Sequence, residues 1–164
     1  MAKILTQEEA NELLDLLKKC VKEYVTFPNK KQKECFDVIA DDIRDKKSMF
    51  IININRANKF ADDKISFSAR CKQDDILLLR LDIGDDINGR PPLEHTNPII
   101  EGAPYSGKHI VGSHLHIYKE NYAVTYAIPF QPESEKFVEI FFEFLEYFKV
   151  KEPKIRQQIS TEEL

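Results

Sequence analysis

Two histidines two residues apart, His114 and His116, are the residues of this sequence best suited to chemistry. Residues at i and i+2 of a strand point to the same face, so both imidazoles would face one region. Histidine changes its charge near neutral pH, which suits it to move protons or to bind metals. All four histidines and all five glycines lie between Gly84 and Tyr118. We therefore expect the function to reside in this stretch.

One interpretation of the histidine pair is a metal site, because zinc and iron are often bound by histidine with one or two further ligands. His114, His116 and Glu120 would supply three ligands, and together with Gly107 they resemble the first metal-binding motif of the cupin family. Cupins carry a second motif with a further histidine, whereas this chain has no histidine after His116. We therefore predict no bound metal and no other cofactor.

A second interpretation is metal-independent acid and base catalysis on a phosphodiester of RNA or of a nucleotide. One histidine would accept a proton, another would donate one, and a cation would stabilise the charge that develops on the phosphate. The predicted catalytic residues are His114, His116 and His95. The residues predicted to bind substrate are Arg80, Asn97, Tyr118 and Lys119, and those predicted to support the site are Asp82, Glu120 and Tyr122.

A third interpretation gives the histidines a structural role, with hydrogen bonds to Asp82, Glu94 or loop carbonyls that fix a polar face of the sheet. The protein would then be a non-catalytic inhibitor or regulator that binds a partner protein. Its binding element would be the loop over residues 85–108, since roughly 24 residues exceed the length of about 12 to 15 beyond which a loop usually has a function. The sequence leaves the three interpretations open, and we favour the acid and base catalyst.

The elements that position these groups follow from the pattern of apolar residues. A capping box at Thr6-Gln7-Glu8-Glu9 predicts a first helix, which the apolar spacing extends toward Pro28. A second helix is predicted from Pro132 to Phe148, where a run of phenylalanines would cover the apolar face of a sheet. Apolar and polar residues alternate as in antiparallel strands over 49–56, 64–71, 76–84, 109–118 and 122–128, and the ambiguous segment 34–42 is assigned to a strand.

These elements predict one α+β domain over residues 1–152, with a mainly antiparallel sheet of about six strands, an N-terminal helix and a C-terminal helix packed on one face. Residues 153–164 are predicted to be a polar, loose tail. A chain of 164 residues fits one such domain.

Composition limits the partners and the location of the protein. A net charge of −4 provides no basic field for long duplex nucleic acid. The chain has no apolar run near 20 residues and no signal peptide pattern, so we expect no membrane partner. The three cysteines are odd in number and widely spaced, which predicts buried, reduced thiols and a cytoplasmic protein.

The stretches LLLRLDIG, HTNP, GSHLHIYKENY and AIPF together resemble an uncharacterised family of small bacterial and prophage proteins. The resemblance implies a shared constellation of Arg80, Asp82, His95, Asn97, Pro98, His114, His116, Tyr118, Glu120 and Tyr122. The chain departs from the family pattern at Ile99, which replaces an aspartate, at Lys119, which replaces an arginine, and in a loop expanded over 85–88. The resemblance implies a setting of mobile elements and a toxin-like role, but no mechanism.

Overall fold

A computed structural model describes residues 4–41, 48–56, 65–84 and 92–157 of the chain. The helices are α1 (Gln7–Asp15) and α2 (Phe137–Tyr147). The strands are β1 (Lys18–Cys20), β2 (Tyr24–Phe27), β3 (Lys33–Ala40), β4 (Met49–Asn55), β5 (Ile65–Cys71), β6 (Ile76–Ile83), β7 (Glu94–Thr96), β8 (His109–Val111), β9 (His114–Ile117), β10 (Ala127–Pro129) and β11 (Lys154–Gln157). In these ranges no helix is long and apolar enough to cross a membrane.

Seven strands form one sheet in the order β1-β3-β4-β5-β6-β9-β10, and all neighbouring pairs are antiparallel. The predicted α+β class is therefore confirmed, as are the β4–β5 hairpin and the central place of β6. Strands β6 and β9 pair so that Arg80 lies opposite His116 and Asp82 lies opposite His114. Directly opposite residues of an antiparallel pair share a face, so these four side chains lie together.

Helix α2 covers the other, apolar face of the sheet, as the phenylalanine pattern predicts. The Phe67 ring of β5 lies 5.2 Å from the ring of Phe141 and 5.8 Å from that of Phe144. Phe50 of β4 meets Phe148 edge-on at 5.3 Å. These side chains are fully buried. The core therefore occupies one side of the sheet and leaves the other side to polar residues.

The first helix is shorter than predicted. Its capping box forms at Thr6 and Glu9, but the helix ends at Asp15. The chain then enters β1, which pairs with β3, so pairing with the sheet prevails over the helical spacing. As a result, the apolar side chains of Leu17 and Val21 are 67% and 54% exposed.

The predicted long loop and second hairpin also differ in detail. The loop contains strand β7, which pairs with β8. The strand predicted over 109–118 is divided into β8 and β9 at Gly112, whose φ of 98° suits glycine. The strand predicted over 122–128 is reduced to β10, because a turn with positive φ at Asn121 and Ala123 precedes it.

The C-terminal part of the chain is more ordered than predicted. Helix α2 begins at Phe137, later than expected, and β11 pairs in parallel with β2 instead of forming a loose tail. Residues 158–164 lie outside the described part of the chain. The cysteines form no disulfide, but only Cys71 is buried, since Cys20 is half-buried and Cys35 is exposed.

Candidate functional site

Three histidines form a compact cluster on the polar face of the sheet. His114 and His116 come from β9, His95 comes from β7, and one ring nitrogen of each lies within 4.8 Å of the others. The His95 ring stacks on that of His114 at 5.4 Å and 19°, and lies 4.8 Å from that of His116. The structure therefore brings all three predicted catalytic histidines together.

Close backbone contacts bring β7 to the cluster. The Leu93 N–H donates to the Gly84 carbonyl at 2.8 Å, and the Gly112 N–H donates to the Leu93 carbonyl at 2.7 Å. A Cβ atom on Gly84 would lie 2.1 Å from Cγ of Leu93, so a side chain at this position would clash. The Gly84 N–H also donates to Ser113 Oγ at 3.1 Å. These bonds hold the end of β6, the start of β7 and the β8–β9 junction together.

Asn97 fastens the end of β7 to the edge strand β10. Its Nδ2 donates to the carbonyl oxygens of Tyr105 at 2.9 Å and Ala127 at 2.7 Å, while its Oδ1 accepts from the Ala127 N–H at 2.8 Å. The residue is 4% exposed. Because its amide is used inside the protein, we assign Asn97 the positioning of nearby His95 in place of the predicted contact with substrate.

Backbone carbonyls determine which nitrogen of each ring carries a proton. The pairs are His114 Nδ1 with Gly112 at 3.0 Å, His116 Nδ1 with Val124 at 2.7 Å, and His95 Nε2 with Thr125 at 2.8 Å. A carbonyl oxygen only accepts, so the ring nitrogen that faces it is protonated and donates. The remaining nitrogens are Nε2 of His114 and of His116, which both face Asp82, and Nδ1 of His95.

His114 faces an oxygen acceptor at both of its ring nitrogens. Besides the Gly112 carbonyl at Nδ1, the Oδ2 atom of Asp82 lies 3.5 Å from Nε2. A neutral imidazole has one N–H, whereas an imidazolium has two and can satisfy both acceptors. Although burial disfavours the charged ring, the hydrogen bonds to Asp82 and Gly112 raise the pKa of His114 above its ordinary value. The surroundings of His114 therefore favour the proton-bearing form.

His95 has the opposite preference. Burial lowers its pKa, and charge on His116 or His114 lowers it further, which together outweigh the interactions with Thr125 and Asn97. A neutral His95 donates through Nε2 and keeps a lone pair on Nδ1. Two neighbouring groups whose pKa values are shifted in opposite directions can act as a general acid and a general base.

Arg80 and Asp82 both lie beside the second ring nitrogen of His116, Nε2. Arg80 Nε donates to the Asp82 carboxylate at 3.2 Å, and Arg80 Nη2 lies 3.1 Å from His116 Nε2. Burial would raise the pKa of Asp82, but hydrogen bonds from His114 and His116 and the charge of Arg80 hold it well below its usual range. Asp82 is therefore an anion, and its Oδ2 atom also lies 3.3 Å from His116 Nε2. With His114 protonated, the positive charges of His114 and Arg80 exceed the negative charge of Asp82.

The cluster opens into a cavity of about 440 Å³. Besides the three histidines, the cavity is lined by Arg80, Asp82, Leu93, Glu94 and residues 123–125. The Arg80 side chain is 38% exposed, so guanidinium N–H groups remain for an anion. Larger cavities of about 710 and 620 Å³ lie beside α2 and contain no histidine. The side chains that line this cavity, and not the volume of the cavity, therefore identify it as the candidate site.

A family model with the description "family of unknown function (DUF6978)" matches residues 5–150. The chain belongs to this family. Its predicted membership of an uncharacterised domain family is thereby confirmed. No curated protein and no solved structure matches the chain. The function of this DUF6978 member must therefore be inferred from its own site.

Two residues predicted to bind substrate lie outside the cavity of this family member. Tyr118 follows β9 but is buried, and its hydroxyl donates to the Leu5 carbonyl at 2.8 Å. The Lys119 ammonium lies 5.2 Å from the centre of the Tyr126 ring. Neither side chain is among those that line the cavity. Among the described residues, Arg80 is therefore the arginine or lysine that lines the cavity.

Two residues predicted to support the site also lie outside the cavity. Glu120 is exposed, and its backbone N–H donates to Gln7 Oε1 at 3.0 Å. Tyr122 is 37% exposed, and its carbonyl accepts from Thr125 Oγ1 at 2.7 Å. Glu120 therefore does not complete the predicted metal set with the histidine pair. The third nitrogen ligand near the histidine pair is instead offered by His95.

The sequence gives no signal for the carbonyl groups of Gly112, Val124 and Thr125. Every residue type has a carbonyl, so only the fold reveals which ones face the histidines. A weak signal exists at Gly112 alone, because a glycine that interrupts an alternating pattern often marks a break in a strand. The predicted partner-binding loop stays a prediction: residues 85–91 lie outside the described ranges, and Ile99 is 82% exposed.

Proposed function

We propose that this protein cleaves a phosphodiester of RNA or of a nucleotide by metal-independent acid and base catalysis. His95 Nδ1 removes a proton from the nucleophile, and His114 Nε2 donates a proton to the leaving oxygen. Arg80 binds the phosphate and stabilises the charge that develops on it. One observation carries the proposal: His114 faces oxygen acceptors at both ring nitrogens, and the His95 ring stacks on the His114 ring at 5.4 Å.

Asp82 and His116 hold the acid and the cation in position. Asp82 lies 3.5 Å from His114 Nε2 and 3.3 Å from His116 Nε2, and it accepts from Arg80. It therefore stabilises the charged form of His114 and fixes the direction of the guanidinium. The Nε2 atom of His116 faces the same guanidinium and limits its movement. General acid and base catalysis of this kind contributes about 10² to 10⁴-fold in rate.

The charge distribution supports a small anionic substrate. The chain as a whole carries −4, yet the cluster is positively charged when His114 is protonated. A local positive site in an acidic protein suits one phosphodiester better than a long duplex. We place the activity in the cytoplasm because the cysteines form no disulfide. A toxin-like role rests on the resemblance to prophage proteins.

The test is cleavage of RNA and of a nucleotide phosphodiester by the purified protein in excess EDTA. We expect cleavage, with a loss of at least about 100-fold in His95→Ala and in His114→Ala. His109→Ala is the matched control, because His109 pairs with Glu94 and Thr96 at an exposed position outside the cluster. Cleavage that survives both cluster substitutions, or failure to cleave any phosphodiester, contradicts the proposal.

A second function is favoured by the spacing of the three imidazoles. One nitrogen each of His95, His114 and His116 lies within 4.8 Å of the others, so the three could close around a divalent transition metal. Arg80 would then have to leave His116 Nε2, which it now faces at 3.1 Å. Stoichiometric zinc, iron or manganese in the purified protein, with activity that EDTA abolishes, would support this alternative against the metal-independent one.

A further inference from the structure

We propose that the substrate supplies its own nucleophile: the site cleaves RNA by attack of the ribose 2′-hydroxyl and does not cleave DNA. This inference rests on the proposed phosphodiester cleavage and narrows it to one substrate class and one set of products. The inference is based on the hydrogen bonds and ion pairs that the polar groups around the cavity already form within the protein.

The polar side chains near the cluster are already engaged within the described residues. The Asp82 carboxylate contacts Arg80, His114 and His116. In the rest of the lining, Thr125 Oγ1 donates to the Tyr122 carbonyl at 2.7 Å. The Glu94 carboxylate lies 3.1 Å from His109 Nε2. In the described lining, the groups that remain for a substrate are the lone pair of His95 and the unused donors of Arg80, together with the His114 Nε2 proton, which faces Asp82 at 3.5 Å.

These remaining groups form a minimal set of one base, one acid and one cation. An attacking water would need further groups to hold it in line with the leaving oxygen. In the part of the lining that the structure describes, the carboxylates and the hydroxyl already have other partners. A hydroxyl attached next to the phosphate needs no such groups. Well-oriented intramolecular nucleophiles reach effective concentrations of about 10⁵ to 10⁸ M. The site therefore matches a substrate with a neighbouring hydroxyl.

The shape of the site fits a flexible single strand. The His95 and His114 rings are 5.4 Å apart, so base and acid are separate groups beside one cavity. The cavity of about 440 Å³ lies in the range of sites for small ligands and can take a sugar with its phosphate. Unpaired RNA can turn its ribose so that the 2′-oxygen lies in line with the leaving oxygen, and proteins commonly recognise RNA in its unpaired segments.

The step balances without a further reactant. His95 Nδ1 takes the proton of the 2′-hydroxyl while the 2′-oxygen forms a bond to phosphorus. The bond from phosphorus to the 5′-oxygen breaks, and that oxygen takes the proton of His114 Nε2. The products are a 2′,3′-cyclic phosphate and a 5′-hydroxyl end. His95 is then protonated and His114 is neutral, and proton exchange with water restores both.

The test compares three sets of single-stranded oligonucleotides with wild-type protein in excess EDTA. The first set is DNA with one ribonucleotide, covering all four bases, the second carries a 2′-O-methyl group at that position, and the third is DNA throughout. We expect cleavage only after the ribonucleotide, at least about 100-fold faster than in the other sets. Mass spectrometry should find a 2′,3′-cyclic phosphate and a 5′-hydroxyl.

The outcomes separate this inference from the function on which it rests. Cleavage of the 2′-O-methyl or DNA strands, or products with a 5′-phosphate, overturns the inference and leaves phosphodiester cleavage standing. No cleavage of any strand, of an all-RNA pool or of bis(4-nitrophenyl) phosphate overturns both. Since the comparison uses wild-type protein, its result does not depend on whether a variant folds. Loss of ribonucleotide cleavage in His95→Ala, but not in His109→Ala, assigns the activity to the cluster.

Discussion

Lys18 on β1 and His114 on β9 are both buried and both carry an ionisable nitrogen, at 1% and 4% exposure. The Nζ atom of Lys18 donates to the carbonyl oxygens of Leu14 at 3.2 Å, Leu16 at 2.8 Å and Phe148 at 2.8 Å. An ammonium has three donors, and the backbone takes all three. Lys18 therefore joins the end of α1 to the end of α2. His114 instead presents its Nε2 proton to a carboxylate beside an open cavity.

The two cations differ in the kind of partner they have. Carbonyl groups are dipoles, and burial together with repulsion by Lys149 lowers the pKa of Lys18 to about 7. Asp82 carries a full negative charge, and its bond to His114 raises the pKa of that ring despite burial. The comparison shows that burial alone does not identify an ionisable residue as part of a functional site. A charged partner and access to a cavity distinguish the site from the scaffold.

The largest effect on folding should come from Lys18→Met. The substitution keeps most of the length of the side chain but removes the donor from three carbonyls, one buried and two partly buried, so the free energy of unfolding should fall by about 2 to 4 kcal/mol. Denaturant unfolding followed by circular dichroism measures the loss. Lys19→Met is the control, since Lys19 pairs with Asp41 at the surface and should change stability little. An unchanged stability in Lys18→Met would remove Lys18 from its assigned role.

Asp82→Asn should weaken the acid without removing it. Above the pKa of His114 its proton is lost, so the rate falls as pH rises through that pKa. Without the Asp82 charge the pKa of His114 is lower, so the rate begins to fall at a lower pH. The alkaline limb of the pH–rate profile therefore moves to lower pH, and activity at alkaline pH decreases about tenfold for each pH unit of this movement. A pH profile of kcat/KM measures it. Asp75→Asn is the control, because Asp75 is exposed and pairs with Arg70. An unmoved alkaline limb contradicts the assigned role of Asp82.

The smallest effect should come from Lys72→Ala. Lys72 pairs with Asp37 at 3.1 Å, but both side chains are about half exposed, so water screens the pair. We expect a change of under about 1 kcal/mol in the free energy of unfolding, measured by denaturant titration. A loss as large as that of Lys18→Met would show that charge pairing in general, and not burial, explains the importance of Lys18.

Much of the sheet could be predicted because alternation over several residues identifies a strand with one buried face. Strands β4, β5, β6 and β9 follow this pattern, and the same pattern places His114 and His116 on one face. Alternation fails at Tyr118, which would share that face, because β9 ends at Ile117 and the tyrosine turns into the core. Local patterns hold only as far as the strand continues.

The remainder of the site depends on contacts between distant segments. Arg80 and Asp82 reach the histidines through the pairing of β6 with β9, which the long loop separates in sequence. His95 arrives through a short strand inside that loop, held by Gly84 and Asn97. Local propensity does not specify such pairings. For the same reason the sequence could suggest His95 as a third group without showing what it contacts.

The central claim is that His114 is protonated while His95 is neutral in one cavity. Side-chain ¹⁵N chemical shifts, followed through a pH titration in EDTA, report the protonation of every ring nitrogen. We predict that His114 has a pKa above the ordinary 6.5 and carries protons on both nitrogens at that pH. We predict that His95 has a pKa below 6.5 and a proton on Nε2 alone. The reverse order of the two pKa values, or a His114 protonated only on Nδ1 at pH 6.5, would contradict the account.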